Sequence, residues 1–315
     1  MPFLETHNLR KRYDGTPAVD GVSLTIERGE VLGLLGPNGA GKTTTLMILA
    51  GLLQADTGQL LLEGRPLHPT APAYRRILGL VPQSLAVYPE LTAMENLRFF
   101  GRLYGLRGSR LAMLAAEVLA LTGLTSRQGS RVDTFSGGMK RRLNFGIALM
   151  HEPRLLILDE PTVGVDPQSR AHLLAQTRML RDRGVSVVYA THYMEEVQAV
   201  CDRVAIMDQG RVLVCDTLDH LLRQLDTQTV VEVPASAAEH LQTMGQIADC
   251  VDHRGDRIAL GIRQDGGSAE NAIGPALSRL LATLNQKGIA VLDVTTRRPD
   301  LEKVFMQLTG HELRD

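Results

Sequence analysis

Apolar positions along this chain come in short blocks, and the period inside each block predicts its element. Phe3 to Leu9 and Val19 to Ile26 read as strands, the second alternating at Val22, Leu24 and Ile26. Val31-Leu32-Gly33-Leu34-Leu35 is an unbroken apolar run, the pattern of a strand buried on both faces. Thr44 to Leu53 changes to helical spacing, with Leu46, Met47, Leu49 and Ala50 along one side. Gln59 to Leu62 is a further strand closed by Glu63-Gly64-Arg65-Pro66, and Ile77 to Val81 is a short one stopped by Pro82. From about Thr92 to Gly123 the pattern is helical, including Glu95 to Tyr104 and Arg110 to Leu121. Another helix follows Ser136, with Leu143 to Met150 as its strongest part. Strand Leu155 to Leu158, helix Gln168 to Arg183 and strand Val185 to Ala190 come next. Val204 to Met207 and Arg211 to Val214 read as a hairpin around Asp208-Gln209-Gly210. This is the order of an α/β chain with a helical insertion at about 84–150.

The character changes near Leu225, which predicts one domain at 1–225 and a second at 226–315. The second reads as strand Val230 to Val233, helix Ala237 to Met244, and strands Ile247 to Val251 and Ile258 to Ile262. After the polar loop Gln264 to Ala269 come helix Ala276 to Gln286, strand Ala290 to Val294 and helix Asp300 to Leu308. That order predicts a small α+β sandwich.

Composition narrows the classes of function. The 315 residues carry 34 basic and 35 acidic side chains, a net charge of −1, which disfavours a large nucleic-acid footprint. No apolar stretch is long enough to span a bilayer, and Met1 to Arg12 lacks the apolar core of a secretory signal. Cys201, Cys215 and Cys250 are far apart and form no C-x-x-C pair, as expected of thiols in a reducing cytosol. Any service to a membrane then runs through other chains.

The strongest chemical signal is Gly36-Pro37-Asn38-Gly39-Ala40-Gly41-Lys42-Thr43, which matches G-x-x-x-x-G-K-[ST] between a predicted strand and helix. Its glycines let the backbone curl so that N–H groups point at phosphates, and the helix adds its positive dipole end. Lys42 supplies a point charge to the outer phosphates, and the Thr43 hydroxyl is a ligand for Mg²⁺. Asn38 and Thr44 complete the predicted cradle with Gly36, Gly39 and Gly41. Leu155-Leu156-Ile157-Leu158 ends in Asp159-Glu160, two acids at the carboxyl end of a buried strand, where ligands of such sheets bind. Asp159 is placed to hold Mg²⁺, and Glu160, one residue further out, to polarise an attacking water. Ser136-Gly137-Gly138 opens a helix and forms a second anion site from a hydroxyl, free N–H groups and a dipole.

With these residues in order, the chain resembles the ATP-binding subunit of an ATP-binding cassette (ABC) transporter. Phe135 to Met139 is similar to that family's Leu-Ser-Gly-Gly-Gln motif, with Phe for Leu and Met for Gln, and Ser136, Gly137 and Gly138 kept. Tyr13 resembles the aromatic residue that stacks on adenine, and Gln83 the glutamine that touches Mg²⁺ and moves with the helical insertion. Asp166, in Val163-Gly164-Val165-Asp166, resembles the acid that communicates across the dimer, and His192 the histidine that contacts the γ-phosphate. The likeness covers roughly Phe3 to Leu225. It implies a P-loop NTPase core with an antiparallel β subdomain and a helical insertion. It also implies catalytic roles for Glu160, His192, Lys42 and Gln83, with ATP and Mg²⁺ bound.

The family's partners follow as implications too. They are a second copy or a paralogous ATPase subunit, facing the first head to tail around ATP, and integral membrane permease subunits. The implied location is cytoplasmic, on the inner face of the membrane, and no nucleic-acid partner is expected. Leu85, Val87 and Tyr88, after Gln83, are candidates for the surface that meets the permease. Leu301-Glu302-Lys303-Val304-Phe305 and Thr162 to Pro167 look like the bacterial drug- and antibiotic-resistance exporters, with a C-terminal accessory domain for assembly or regulation. Two other functions compete: a soluble cassette ATPase that remodels nucleic acid or ribosomes, and a nucleotide sensor without turnover. Two cassettes or basic arms would favour the first, and a missing Glu160 or His192 the second; this chain shows neither departure.

Overall fold

A computed structural model describes residues 1–223, 227–237, 250–264, 273–297 and 301–310. The chain divides into two compact units, Met1–Leu218 and Asp219–His311.

The first unit opens with an antiparallel sheet. Strands β1 (Leu4–Tyr13), β2 (Thr16–Ile26), β4 (Thr57–Leu62) and β5 (Arg65–Leu67) lie in the order β2-β1-β4-β5. Both tight turns carry two residues with positive φ: Asp14 (47°) and Gly15 (82°), then Glu63 (52°) and Gly64 (72°). That backbone twist matches the twist of the strands on either side. The first two strands therefore run further than their alternation predicts, to meet across Asp14-Gly15, and β5 adds a strand where only a turn was expected.

The second sheet has the order β10-β9-β3-β8-β7-β6, all parallel except the edge strand β10. Its strands are β3 (Val31–Leu35), β6 (Leu78–Val81), β7 (Leu155–Asp159), β8 (Ser186–Thr191), β9 (Arg203–Asp208) and β10 (Arg211–Thr217). Every residue of β3, β7 and β8 is buried, as their apolar runs require of a sheet covered on both faces. The core runs from this sheet (Leu32, Leu34, Ile157, Val188) through helix α1 (Lys42–Leu49) to the antiparallel sheet (Leu4, Leu9, Val22, Ile26).

Helix α2 (Pro72–Ile77) takes the first residue expected of the strand that follows it. Its Tyr74 is fully buried and donates to the Leu49 carbonyl at the end of α1, 2.7 Å away. Burial raises the Tyr74 pKa far above the ordinary phenol range, so it stays a donor. Tyr74→Phe orphans one carbonyl and should cost about 1–3 kcal/mol in denaturant unfolding.

The helical insertion holds α3 (Ala93–Leu103), α4 (Gly108–Leu121) and α5 (Gly137–Leu149). Thr92 and Glu95 form a reciprocal capping box at the start of α3. α5 begins directly after its cap Ser136, as expected, ahead of its most apolar stretch from Leu143. Helix α6 (Pro167–Asp182) precedes β8, and α7 (Met194–Val200) follows it.

Helix α8 (Leu218–Arg223) lies at the boundary between the units. In the second unit, β11 (Thr227–Pro234), β12 (Cys250–Arg254), β13 (Arg257–Gln264) and β14 (Asp293–Arg297) form an antiparallel sheet in the order β12-β13-β11-β14. Val231, Val233, Ile258 and Leu260 pack on Leu280 and Leu284 of helix α9 (Ile273–Gln286). Helix α10 (Leu301–Thr309) buries Leu301, Val304 and Phe305. The strand expected at Ala290 to Val294 begins only at Asp293, because its partners Glu232 to Gln228 on β11 set the register. The expected helix Ala237 to Met244, beyond Ala237, and the first part of the expected strand Ile247 to Val251 lie outside the described residues.

Candidate functional site

Adjacent strands β3, β8, β7 and β6 deliver Lys42, His192, Glu160 and Gln83 to one edge. Leu35 pairs with Thr191, Asp159 with Ala190 and Val81 with Leu158, so the strands end in step. The carboxyl edge of a parallel sheet is where such folds bind ligands.

The loop from Gly36 to Gly41 is shaped by close approaches that only glycine permits. A Cβ on Gly36 would sit 2.3 Å from the Met207 carbonyl, and one on Gly41 2.3 Å from the Ala18 carbonyl. Gly39 and Gly41 have φ of 84° and 95°, and Gly39 faces open space. Asn38 and Gly39 are exposed at the crest, with Thr43 and Thr44 half-buried behind it in the first turn of α1. The first N–H groups of a helix have no partner inside it, so this turn presents donors to an anion. Lys42 is buried and donates to the Gly36 and Pro37 carbonyls at 2.7 and 3.1 Å.

Glu160 is the centre of the site. Its side chain is buried, and its φ of 46° is left-handed, which costs a non-glycine residue about 1–2 kcal/mol. Its N–H donates to the Ala190 carbonyl at 3.0 Å, which ties the turned backbone to β8. Gln83 Nε2 donates to Glu160 Oε2 at 2.9 Å. His192 Nδ1 lies 3.2 Å and Lys42 Nζ 3.6 Å from Glu160 Oε1. Burial lowers the Lys42 pKa, against the pull of Glu160 and then Asp159. Burial also raises the Asp159 pKa, as does the Glu160 charge, against the Thr43 hydroxyl and Lys42.

The raised Asp159 pKa sets a pH-dependent stability. Burying Asp159 penalises the fold; the penalty is absent below its unfolded pKa near 3.8, grows as pH rises above it and is complete once pH passes the folded pKa. Asp159→Asn should melt higher than the wild type at pH 7, and the two curves should converge below about pH 4.

Thr43 Oγ1 donates to Asp159 Oδ1 at 3.2 Å. Both are hard oxygen donors of the kind Mg²⁺ takes, so Thr43 and Asp159 would be able to hold that cation together. The donor set is hard: a hydroxyl, a carboxylate and the Gln83 amide oxygen left free by its N–H bond. Among the described residues no cluster of three or more His, Cys, Asp or Glu would hold a metal alone. One carboxylate plus substrate phosphates is the usual Mg²⁺ arrangement, and these residues fit it.

Ser136 caps α5 and accepts from the Met139 N–H at 3.2 Å, with Ser136 and Gly137 exposed. Gly138 lies so close to Asp166 and Ser169 that a Cβ would meet their oxygens at 2.5 and 2.2 Å. Asp166 caps α6 through the Ser169 N–H at 2.8 Å, which holds its carboxyl below the usual range. Among the described residues no hydrogen bond joins Ser136 to the Lys42 loop. Tyr13 ends β1 and is half-exposed, on the hairpin that brings Ala18 against Gly41.

Arg141 was not among the expected site residues. It is buried on α5 and donates to the Gln83 carbonyl at 2.6 Å, the Pro82 carbonyl at 3.3 Å and the Val163 carbonyl at 3.3 Å. Burial lowers its pKa without threatening its charge. The available signal is an arginine on the stripe Gly138, Phe145 and Ala148, three, four and seven residues apart on the buried face.

Known proteins match this picture. The sequence pattern of the ABC transporter family matches residues 19–163. The linearmycin resistance ATP-binding protein LnrL of Bacillus subtilis (strain 168) is 40% identical over 99% of this chain and 100% of its own length. A Nod factor export ATP-binding protein I of Cupriavidus metallidurans is 38% identical over 99% of each chain. A solved ATP-binding subunit of an ABC transporter superposes with a TM-score of 0.64 at 32% identity, covering 70% of this chain and 92% of that one. A strand-edge site built around Lys42, Asp159 and Glu160 and full-length likenesses to ATP-binding subunits agree: the chain belongs to the ABC transporter family, as one of its ATP-binding subunits, an ABC ATPase.

Proposed function

We propose that this chain powers export of a drug, antibiotic or lipid-like compound through separate membrane-spanning subunits, by hydrolysing Mg-ATP between two copies or between itself and a paralogue. The observation that carries the reading is the buried Glu160 carboxylate, gripped by Gln83, His192 and Lys42 at the end of β7. The resistance and export functions in the relatives' names support the cargo class. Nothing in those likenesses favours nucleic-acid remodelling.

In this reading Gly36, Asn38, Gly39, Gly41 and Thr44 cradle the phosphates, and Lys42 turns from its own loop carbonyls to the β and γ oxygens. The exposed Tyr13 ring stacks on adenine. Thr43, Asp159 and Gln83 hold Mg²⁺, which when bound neutralises charge on the phosphate oxygens. Glu160 accepts hydrogen bonds from water and takes its proton as it attacks. His192 holds Glu160 Oε1 in place and faces the γ-phosphate.

Ser136, Gly137 and Gly138 bind the γ-phosphate held by the other copy, and Asp166 meets that copy beside them. ATP favours the closed pair because both halves reach the γ-phosphate only when shut, and its loss lets them part. Exposed Leu85 and Tyr88, with half-buried Val87, form the surface for the permease on the inner face of the membrane. The 226–315 domain assists assembly or regulation.

Ser136→Arg places bulk and positive charge on an exposed helix cap. It should keep a cooperatively melting fold, less stable by about 0.5–2 kcal/mol for the lost cap, and reduce phosphate release from Mg-ATP at least about tenfold. Normal, cooperative turnover by that variant rules out the cross-dimer site. A wild-type chain that releases no phosphate and recovers no multi-span membrane protein rules out the whole reading.

A further inference from the structure

Glu196 on α7 has no exposed surface, yet its carboxylate faces four donors. Thr162 Oγ1 and Arg170 Nε donate to Oε1, the latter at 2.8 Å. Tyr189 OH and Thr191 Oγ1 donate to Oε2, at 3.0 and 2.9 Å. Two of these donors sit on the turns that carry the chemistry. Thr162 lies just past Glu160-Pro161, and Thr191 directly precedes His192. Thr191 Oγ1 also accepts the Tyr193 N–H at 3.0 Å, which fixes the turn through His192.

Arg170 closes the circle. Its guanidinium lies 4.9 Å from the centre of the Tyr193 ring, and that ring packs against His192 at 4.1 Å. His192 then reaches Glu160 at 3.2 Å. The loop of contacts runs Glu160, His192, Tyr193, Arg170, Glu196, Thr162 and back through Pro161. The Arg170 N–H bonds the Asp166 carbonyl at 2.9 Å, one helical turn from the residue proposed to meet the second copy.

A salt bridge that merely joined α6 to α7 would use one acid and one base, and an apolar contact would serve stability as well or better. Here both oxygens are spent on hydroxyls of the two turns that hold Glu160 and His192. Glu160 sits in a left-handed conformation that its surroundings must over-determine.

We propose that Glu196, with Arg170, is a positioning residue for hydrolysis: it pins the Thr162 and Thr191 turns and so keeps Glu160 and His192 in mutual register. This rests on the ATPase reading above. Through Arg170, the same ring passes a displacement of Asp166 by the second copy to His192.

Glu196→Gln keeps the shape and an acceptor for Arg170, which retains Glu195 at 3.8 Å. In the full chain with Mg-ATP, it should lower kcat about 10- to 100-fold, the cost of slight misplacement of reacting groups, with KM within about twofold. Arg170→Met and Thr162→Val should each lower kcat in the same way. The decisive comparison is a double variant. If Glu196 acts through Glu160, adding Glu196→Gln to Glu160→Gln should slow turnover no further, whereas a general structural defect multiplies the two losses. Multiplied losses, or wild-type kcat in all three single variants, overturn the proposal. Should Glu196→Gln fail to melt cooperatively, Arg170→Met and Thr162→Val decide it, and wild-type kcat in both overturns it. A wild-type chain without turnover sinks the ATPase reading instead, which the same assay reveals.

Discussion

Glu160→Gln should lower turnover of Mg-ATP by about 10²–10⁴ while ATP still binds. The substitution leaves an amide of the same size among Gln83, His192 and Lys42, so the pocket keeps its shape. It removes the carboxylate proposed to take a proton from water. ATP then persists, and the closed pair should accumulate and elute as a dimer on size exclusion with Mg-ATP. Wild-type turnover removes Glu160 from the role of base. A monomer at saturating nucleotide removes the ATP-clamped pair, and with it the account of how hydrolysis is converted to motion.

Lys42→Ala should weaken ATP binding at least about 100-fold, the equivalent of ~3 kcal/mol for one strong charge-assisted hydrogen bond. Two losses combine. The phosphates lose their only cation from the loop, and the Gly36 and Pro37 carbonyls lose the donor that holds the loop curled. Calorimetric titration with Mg-ATP reads the effect directly. Unchanged affinity would show that the loop does not cradle phosphate. The lowered Lys42 pKa shows that the fold bears a cost to keep this charge buried beside Glu160. Such a cost persists at sites where function needs the charge.

The parts of the site legible in the sequence are those whose geometry is local. A strand, a glycine loop and a helix start are consecutive at Val31 to Leu49, and the apolar run ending in Asp159-Glu160 marks a strand end by itself. The groups that assemble from separate strands were placed only by motif order. Gln83 and His192 have no local pattern that points them at Glu160; the parallel register does so. Arg141 and Glu196 were missed for the same reason, since buried charges look like surface charges until their partners are known. The left-handed Glu160 was also hidden. A residue before proline is expected to be extended, and only the bond to Ala190 on the neighbouring strand explains the departure.

In the fold, the errors fall where short-range chemistry beat the hydrophobic pattern. Arg10-Lys11-Arg12 interrupts the apolar alternation, so β1 looked finished at Leu9, although Asp14-Gly15 already announced the turn at which it ends. α2 is only six residues long and starts at Pro72, too short for a helical period to register.

Arg141 has a mechanical consequence. It stands five residues from Ser136 on one stiff rod, a rise of about 7.5 Å, and its fingers hold the main chain at Gln83 and at Val163. A tug on the tip of that rod from outside the molecule is therefore delivered to both threads at once. In the proposed pair, one guanidinium would gear the surface that meets the neighbour to the Gln83 segment that grips Glu160.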